Sequence, residues 1–190
     1  MHYDRERVVQ KMRLWERHLT EHALPTWEEL PALELYMDQV IALLTEYLSF
    51  LPKEDDQDAV VTAAAINNYV RKKVMPPPVK KRYSRTHLAY LVMICSLKQC
   101  VTIPYIQQMI PTTLSEDEVH DVYNAFVAQH RDTVLYFVEQ MNQKCGKLLN
   151  QAKTADQGVS DITISLAVIS GLSRKSAETL ILLQEPGKTE

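Results

Sequence analysis

Pro76, Pro77 and Pro78 stand in a row near the middle of the chain, and neither a helix nor a sheet ladder can pass through them. Each ring fixes φ at roughly −65° and each lacks an amide hydrogen, so the segment is held extended. Helices must end before it and begin again after it. On either side, apolar residues recur at the three- and four-residue spacing of a helix face, and no strand-like alternation lasts more than a few residues. With only 4 glycines in 190 residues and no internal repeat, the chain is expected to be predominantly all-α. The same scarcity leaves no phosphate-cradling loop, nucleophile elbow or dinucleotide fingerprint, which excludes enzymes built on them.

The pattern predicts a series of helices. Val8, Met12, Trp15 and Leu19 mark an amphipathic helix over 3–22, ended by Pro25. A second runs over about 32–51 and a third over about 59–73, where Ala63, Ala64 and Ala65 favour helix and Val61, Ile66, Tyr69 and Val70 turn inward. An acidic loop, 53–58, separates the two. Lys80–Tyr83 forms a short loop or hairpin, and Ser84 caps a fourth helix to about Gln99, buried through Leu88, Leu91, Val92 and Cys95. Thr102 caps a short fifth helix with Pro104 in its first turn. Beyond Ser115 one long helical pattern extends to Leu148, with Glu116, Asp117 and Glu118 suited to its N-terminus. A linker holding Gly158 leads to a last helix over about 160–183, which Gly171 and Ser173 are placed to split. That helix has more apolar surface than one neighbour can hide, so a second copy of the chain or a closed bundle is implied.

Charge divides the chain more sharply than hydropathy does. No acidic residue lies between Asp58 and Glu116, yet that stretch holds Arg71, Lys72, Lys73, Lys80, Lys81, Arg82, Arg85 and Lys98. The whole chain is net −3 with 21 basic and 24 acidic residues, so removing these 8 cations leaves 13 minus 24, or −11, for the rest. Segregation of that size points to a polyanion, most commonly nucleic acid. A wet helix end followed by a loop is the plainer reading, but it does not account for seven of the eight cations falling between Arg71 and Arg85.

Read as one unit, Ile66-Asn67-Asn68-Tyr69-Val70-Arg71-Lys72-Lys73-Val74-Met75-Pro76-Pro77 resembles the end of the recognition helix and the start of the wing in MerR-type regulators. Lys81-Arg82-Tyr83 is similar to the close of their wing, and Thr102, Ile103, Ile106 and Ile110 to their later polar cap and short helix. The resemblance covers about residues 60–110. Asn67 and Asn68 replace an arginine and an aromatic of that pattern, and Lys73 a glycine. Ile66–Tyr69 with the proline- and lysine-rich run also resembles a bacterial domain-of-unknown-function family with a MerR-like half. The resemblance implies a winged helix-turn-helix domain with a short wing over 32–112. It would be preceded by the N-terminal helix, 1–31, and followed by a helical dimerisation or effector region, 113–190.

A helix in the major groove needs side chains that read base edges and others that hold phosphates. Asn amides match adenine, Arg forks onto guanine and Lys neutralises phosphate, so Asn67, Asn68 and Arg71 are expected to read bases. Lys72, Lys73, Lys80, Lys81, Arg82, Tyr83 and Arg85 are expected on the backbone, with packing beneath the wing as the alternative for Tyr83. The expected function is a sequence-specific DNA-binding transcriptional regulator acting on double-stranded DNA as a homodimer through residues 115–190. The alternative is a non-enzymatic interaction module whose basic island docks an acidic protein. RNA binding ranks third, because the island lacks an aromatic platform.

The remaining constellations point to no cofactor or metal. Cys95, Cys100 and Cys145 are odd in number without a C-x-x-C pair, which speaks against disulfides and cysteine-built zinc sites. Cys95 and Cys145 read as small buried hydrophobes. His18 and His22 share a helix face but have no third ligand, and His120 and His130 suit packing or solubility. No nucleophile, base and orienting acid can be assembled, so no enzymatic activity is expected. No apolar run is long enough to span a bilayer, and 1–14 has no signal-peptide core, so a cytoplasmic location is expected.

Overall fold

The computed structural model describes residues 4–51, 61–151 and 154–183, and the acidic loop expected at 53–58 lies outside them. The chain is predominantly helical. Among the described residues seven helices follow one another: α1 (Arg5–Glu21), α2 (Met37–Tyr47), α3 (Ala63–Arg71), α4 (Arg85–Leu97), α5 (Ile103–Met109), α6 (Glu116–Gln151) and α7 (Ala155–Leu182). Contacts gather them into two compact units, His22–Arg131 and Met1–Glu21 with Asp132–Glu190. The first takes in all of 32–112 together with residues 22–31 and the first part of α6.

Within the His22–Arg131 unit, α4 is the centre. Every residue from His87 to Cys95 is buried, so this helix is covered on all sides and not along the single stripe that Leu88, Leu91, Val92 and Cys95 suggested. Leu44 and Leu48 of the α2 region, Ile66 and Tyr69 of α3, Ile106 of α5, and Val119 and Tyr123 of α6 are buried in the same unit. Burial on all faces pushes the Cys95 thiol up to about 12, which makes it an inert core group. The strap of residues 22–31 is tied down by polar contacts to α6. The Tyr123 hydroxyl donates to the Pro25 carbonyl at 2.8 Å, and the Trp27 amide donates to Asn124 Oδ1 at 2.9 Å. Tyr123→Phe is expected to lower unfolding free energy by about 1–3 kcal/mol in urea titrations, because the buried Pro25 carbonyl would lose its donor.

Helix ends follow local chemistry. The Thr62 side chain accepts from the Ala65 amide at 3.2 Å, which starts α3 later than residue 59. At α6, Glu118 accepts from both the amide and the hydroxyl of Ser115 at 2.7 Å, closing a capping box. The second helix begins at Met37 and not near residue 32. Leu35 instead exchanges both backbone hydrogen bonds with Tyr83 at 2.9 Å, and a residue paired in this way is extended.

The expected wing is corrected to a single turn. No strand forms among the described residues, only isolated bridges joining Leu35 to Tyr83 and Val79 to Arg82. Three prolines without amide hydrogens feed this segment, so a β-ribbon cannot lengthen on their side.

In the second unit, Met141 and Cys145 of α6 and Ile162 of α7 form a small core. Val9 and Met12 of α1, Phe137 and Leu166 pack against it. Trp15 meets Phe137 edge to face at 5.9 Å. The expected linker at Gly158 is absent, because Thr154 caps α7 by accepting from the Gln157 amide and Gly158 falls inside the helix. Gly171 does not split it either. No helix among the described residues is long and apolar enough to cross a membrane.

Candidate functional site

Six of the eight cations lie at the C-terminal end of α3 or in the turn after the prolines, while Arg85 opens α4 and Lys98 follows it. α3 buries Ile66 and Tyr69 and leaves Asn67 and Arg71 exposed, with Asn68 half-buried. Arg71 Nη2 donates to Asn68 Oδ1 at 2.8 Å, so these two expected base readers are joined and Asn67 stands apart.

The helix then ends in a Schellman arrangement. The Lys73 amide donates to the Val70 carbonyl and the Val74 amide to the Tyr69 carbonyl, each at 3.0 Å. Lys73 occupies the left-handed position of that motif, with φ 56°. Lys72 and Lys73 are both exposed, and the Gln107 amide of α5 holds the Lys72 carbonyl at 2.6 Å.

The turn repeats this choice of residue. Val79 and Arg82 exchange backbone hydrogen bonds at 3.2 and 2.9 Å across Lys80 and Lys81, whose φ values are 48° and 64°. Two left-handed central residues make a hairpin turn that Asn-Gly or Gly-Gly forms without strain. Among the described residues the only non-glycine positions with positive φ are Lys73, Lys80 and Lys81. Left-handed backbone costs a residue with a β-carbon on the order of 1 kcal/mol. All three strained positions therefore carry an exposed cation, within one stretch of nine residues.

The arginines are positioned by aromatic rings. The Arg82 guanidinium lies 4.8 Å from the Tyr36 ring centre, and its Nη2 donates to the Tyr36 hydroxyl at 2.9 Å. Arg85 lies 5.7 Å from the Trp27 ring centre and is half-buried, with its Nε buried and unpartnered. Tyr83 is only 3% exposed, and burial raises its phenol, so packing is the role its position gives it. It lies edge to face with His87 at 5.7 Å.

His87 is the residue that inspection of the sequence passed over. Its Nδ1 accepts from the Ser84 amide at 3.1 Å and lies 2.8 Å from the Ser84 hydroxyl, while Nε2 donates to the Pro77 carbonyl at 3.1 Å. Burial lowers its pKa, against the Pro77 hydrogen bond and the charge of Glu34, which raise it. Ser84-x-x-His87 has capping-box spacing with histidine where Glu or Gln is usual, and that was the available signal. Tyr36 and Trp27 gave no such signal, because each meets its arginine only through the fold.

His120 and His130 serve locally. His120 bridges Asp121 at 2.8 Å and Glu28 at 3.0 Å, and these bonds raise its pKa. His130 sits between the rings of Phe50 and Phe126 at 5.3 and 6.1 Å, and burial lowers its pKa. Among the described residues no group of three His, Cys, Asp or Glu side chains is placed to hold a metal ion.

A family model described as a domain of unknown function, DUF1836, matches residues 25–126. The chain belongs to the DUF1836 family. The matched span covers α2 to α5, the proline run and every cation of the island, and it lies inside the compact His22–Arg131 unit. The DUF1836 domain therefore coincides with the part of the chain where charge is segregated. No curated protein and no solved structure matches the chain.

Proposed function

We propose that this DUF1836 protein is a sequence-specific DNA-binding transcriptional regulator. The observation that carries the reading is the set of three left-handed, exposed lysines in an acid-free segment. Strain held at turn tips solely by cations has a physical rationale if the tips meet a polyanion, and duplex DNA presents phosphates to two neighbouring protrusions at once. In this reading α3 enters the major groove, and the turn at Lys80 and Lys81 lies on the adjoining backbone. In this reading α2 and α3 form a helix-turn-helix, and a two-residue turn ahead of α4 stands where a wing would be.

Asn67 and Arg71 read bases, with Asn68 beside Arg71, and Lys72, Lys73, Lys80, Lys81 and Arg82 hold phosphates. Selection of binding sites from random duplex DNA with the intact protein tests the reading, which requires an enriched motif. Asn67→Ala or Arg71→Ala is expected to cost about 1–3 kcal/mol on that motif and little on random duplex. Equal loss on both would assign these side chains to the backbone.

A second reading rests on Leu33, Tyr36 and Val79, which are 78%, 52% and 63% exposed near the cationic turn. Exposed apolar groups beside cations suit an acidic protein partner, and failure of every duplex to bind would favour it.

The reading includes a homodimer. Ile164, Val168 and Leu172 are spaced by four residues on α7 and are 60%, 54% and 65% exposed, and Leu180, Leu182 and Leu183 extend the apolar surface. Ile169, 42% exposed, adds to the same apolar surface. A second copy fits because a two-fold axis pairs such a stripe with itself.

A further inference from the structure

The base of the cationic turn is closed by one imidazole. The turn 78–82 leaves the fold after Pro77 and returns at the buried Tyr83, and His87 is hydrogen-bonded to the residues flanking it, Pro77 and Ser84. The chemistry of its partners fixes its protonation state. The Pro77 carbonyl can only accept, so Nε2 carries the hydrogen, and the Ser84 amide can only donate, so Nδ1 is bare. Only the neutral Nε2–H tautomer makes both bonds. Protonation would put a hydrogen on Nδ1 against the Ser84 amide, break that backbone tie and leave only the Ser84 hydroxyl, 2.8 Å away, to hold that end.

We propose that neutral His87 is the positioning residue of the cationic turn, holding Lys80 and Lys81 in DNA-binding posture, and that its protonation releases the turn. The proposal rests on the DNA reading for its consequence but not for the clasp itself. A turn built from Lys-Lys lacks the glycine that would make its backbone self-sufficient, so its shape depends on how its ends are held. The Leu35–Tyr83 pair secures one side, and His87 joins the two ends to each other and to the first turn of α4.

Among the described residues the titratable and charged groups around the imidazole are few. Glu34 faces it from the segment ahead of α2 and favours its charged form, the buried Tyr83 phenol adjoins it from the turn, and Arg85 lies two residues before it in α4. Burial opposes the charged form and is the larger effect. Because the clasped imidazole has a lowered pKa, the clasp is complete above the ordinary histidine value of about 6.5 and is lost as pH falls towards the clasped value.

This gives a sign opposite to simple electrostatics. Protonating histidines adds positive charge, which alone would tighten binding to a polyanion in acid. The clasp predicts weakening. The experiment compares the intact wild type with His87→Gln on one 20-base-pair duplex at constant salt from pH 7.5 to 5.5. Glutamine is an accepted partner in a capping box and does not titrate. The wild-type affinity, divided by that of the variant, is expected to fall by up to about tenfold per pH unit within the window. A ratio that stays constant overturns the proposal.

A second measurement needs no DNA and does not depend on the variant folding. In the free wild-type protein, NMR should show the His87 ring as the Nε2–H tautomer at pH 7.5. Protection of the Arg82 and Tyr83 amides, corrected for the intrinsic slowing of base-catalysed exchange in acid, should fall in step with the titration of that ring. Constant protection through the His87 titration would refute the clasp. Lost protection in a protein that binds no duplex would instead retain the clasp and remove the DNA reading.

Discussion

Replacing Lys80 and Lys81 together with glycine is expected to make the protein more stable and worse at binding DNA. Both residues have left-handed backbone, at φ 48° and 64°, and both side chains are exposed. Glycine adopts this conformation without the steric cost borne by a residue with a β-carbon, although it loses more freedom on folding. The net gain should be about 0.5–1 kcal/mol at each position. Urea titration would read this as a higher midpoint at unchanged slope. Binding should move the other way. Two lost phosphate contacts remove roughly 1.8 from the slope of log affinity against log salt, with about tenfold lost in affinity for each contact near 0.1 M salt. Alanine at the same positions would remove the charge but retain the strain, so the two double variants should bind alike and differ in stability. A glycine variant that binds every duplex as tightly as the wild type would show that the strained turn serves some other end. A variant that loses stability would show that the lysines make structural contacts of their own.

The opposition between stability and binding explains how much of the site was legible in the sequence. Composition located it, because acid-free stretches and proline runs are properties of the chain before it folds. The rough positions of the helices also followed from apolar spacing, and Ser84 and Thr102 were correctly placed as caps. Backbone conformation did not follow. Nothing about Lys73, Lys80 or Lys81 as residue types announces a positive φ, since local propensity points to glycine there and the surrounding fold overrides it. Partners distant in sequence were likewise invisible. Tyr36 meets Arg82 across 46 residues, and Leu35 is drawn out of the expected second helix by pairing with Tyr83. Gly158 and Gly171 misled in the opposite direction. A single glycine costs a helix on the order of 1 kcal/mol, which the other residues of a 28-residue helix offset easily.

The apolar stripe on α7 leads to the other large effect, because it separates two faces of one helix. Leu166 is half-buried against the core formed by Met141, Cys145 and Ile162, whereas Val168 and Leu172 are 54% and 65% exposed. A charge at Leu166 would be buried within the subunit and should unfold the α1, α6 and α7 unit. Val168→Asp with Leu172→Asp places charges that a lone subunit leaves in water, so folding should survive and self-association should not. Circular dichroism should retain the wild-type helix content in that pair variant, while sedimentation equilibrium at micromolar concentration should shift from dimer to monomer. The consequence for DNA is large. Two linked reading units make the second contact intramolecular, at an effective concentration in the millimolar range, and losing that link is expected to weaken binding to an inverted-repeat site by about 10²–10⁴-fold. Binding to an isolated half-site should hardly change, since α3 and the cationic turn lie in the other compact unit. If the intact protein sediments as a monomer both free and on its site, the second copy is excluded and the stripe must be covered in some other way. If the pair variant remains a dimer, the two-fold contact lies elsewhere on residues 115–190, and Leu180, Leu182 and Leu183, at 67%, 63% and 71% exposed, are the next positions at which the same charge substitution decides it.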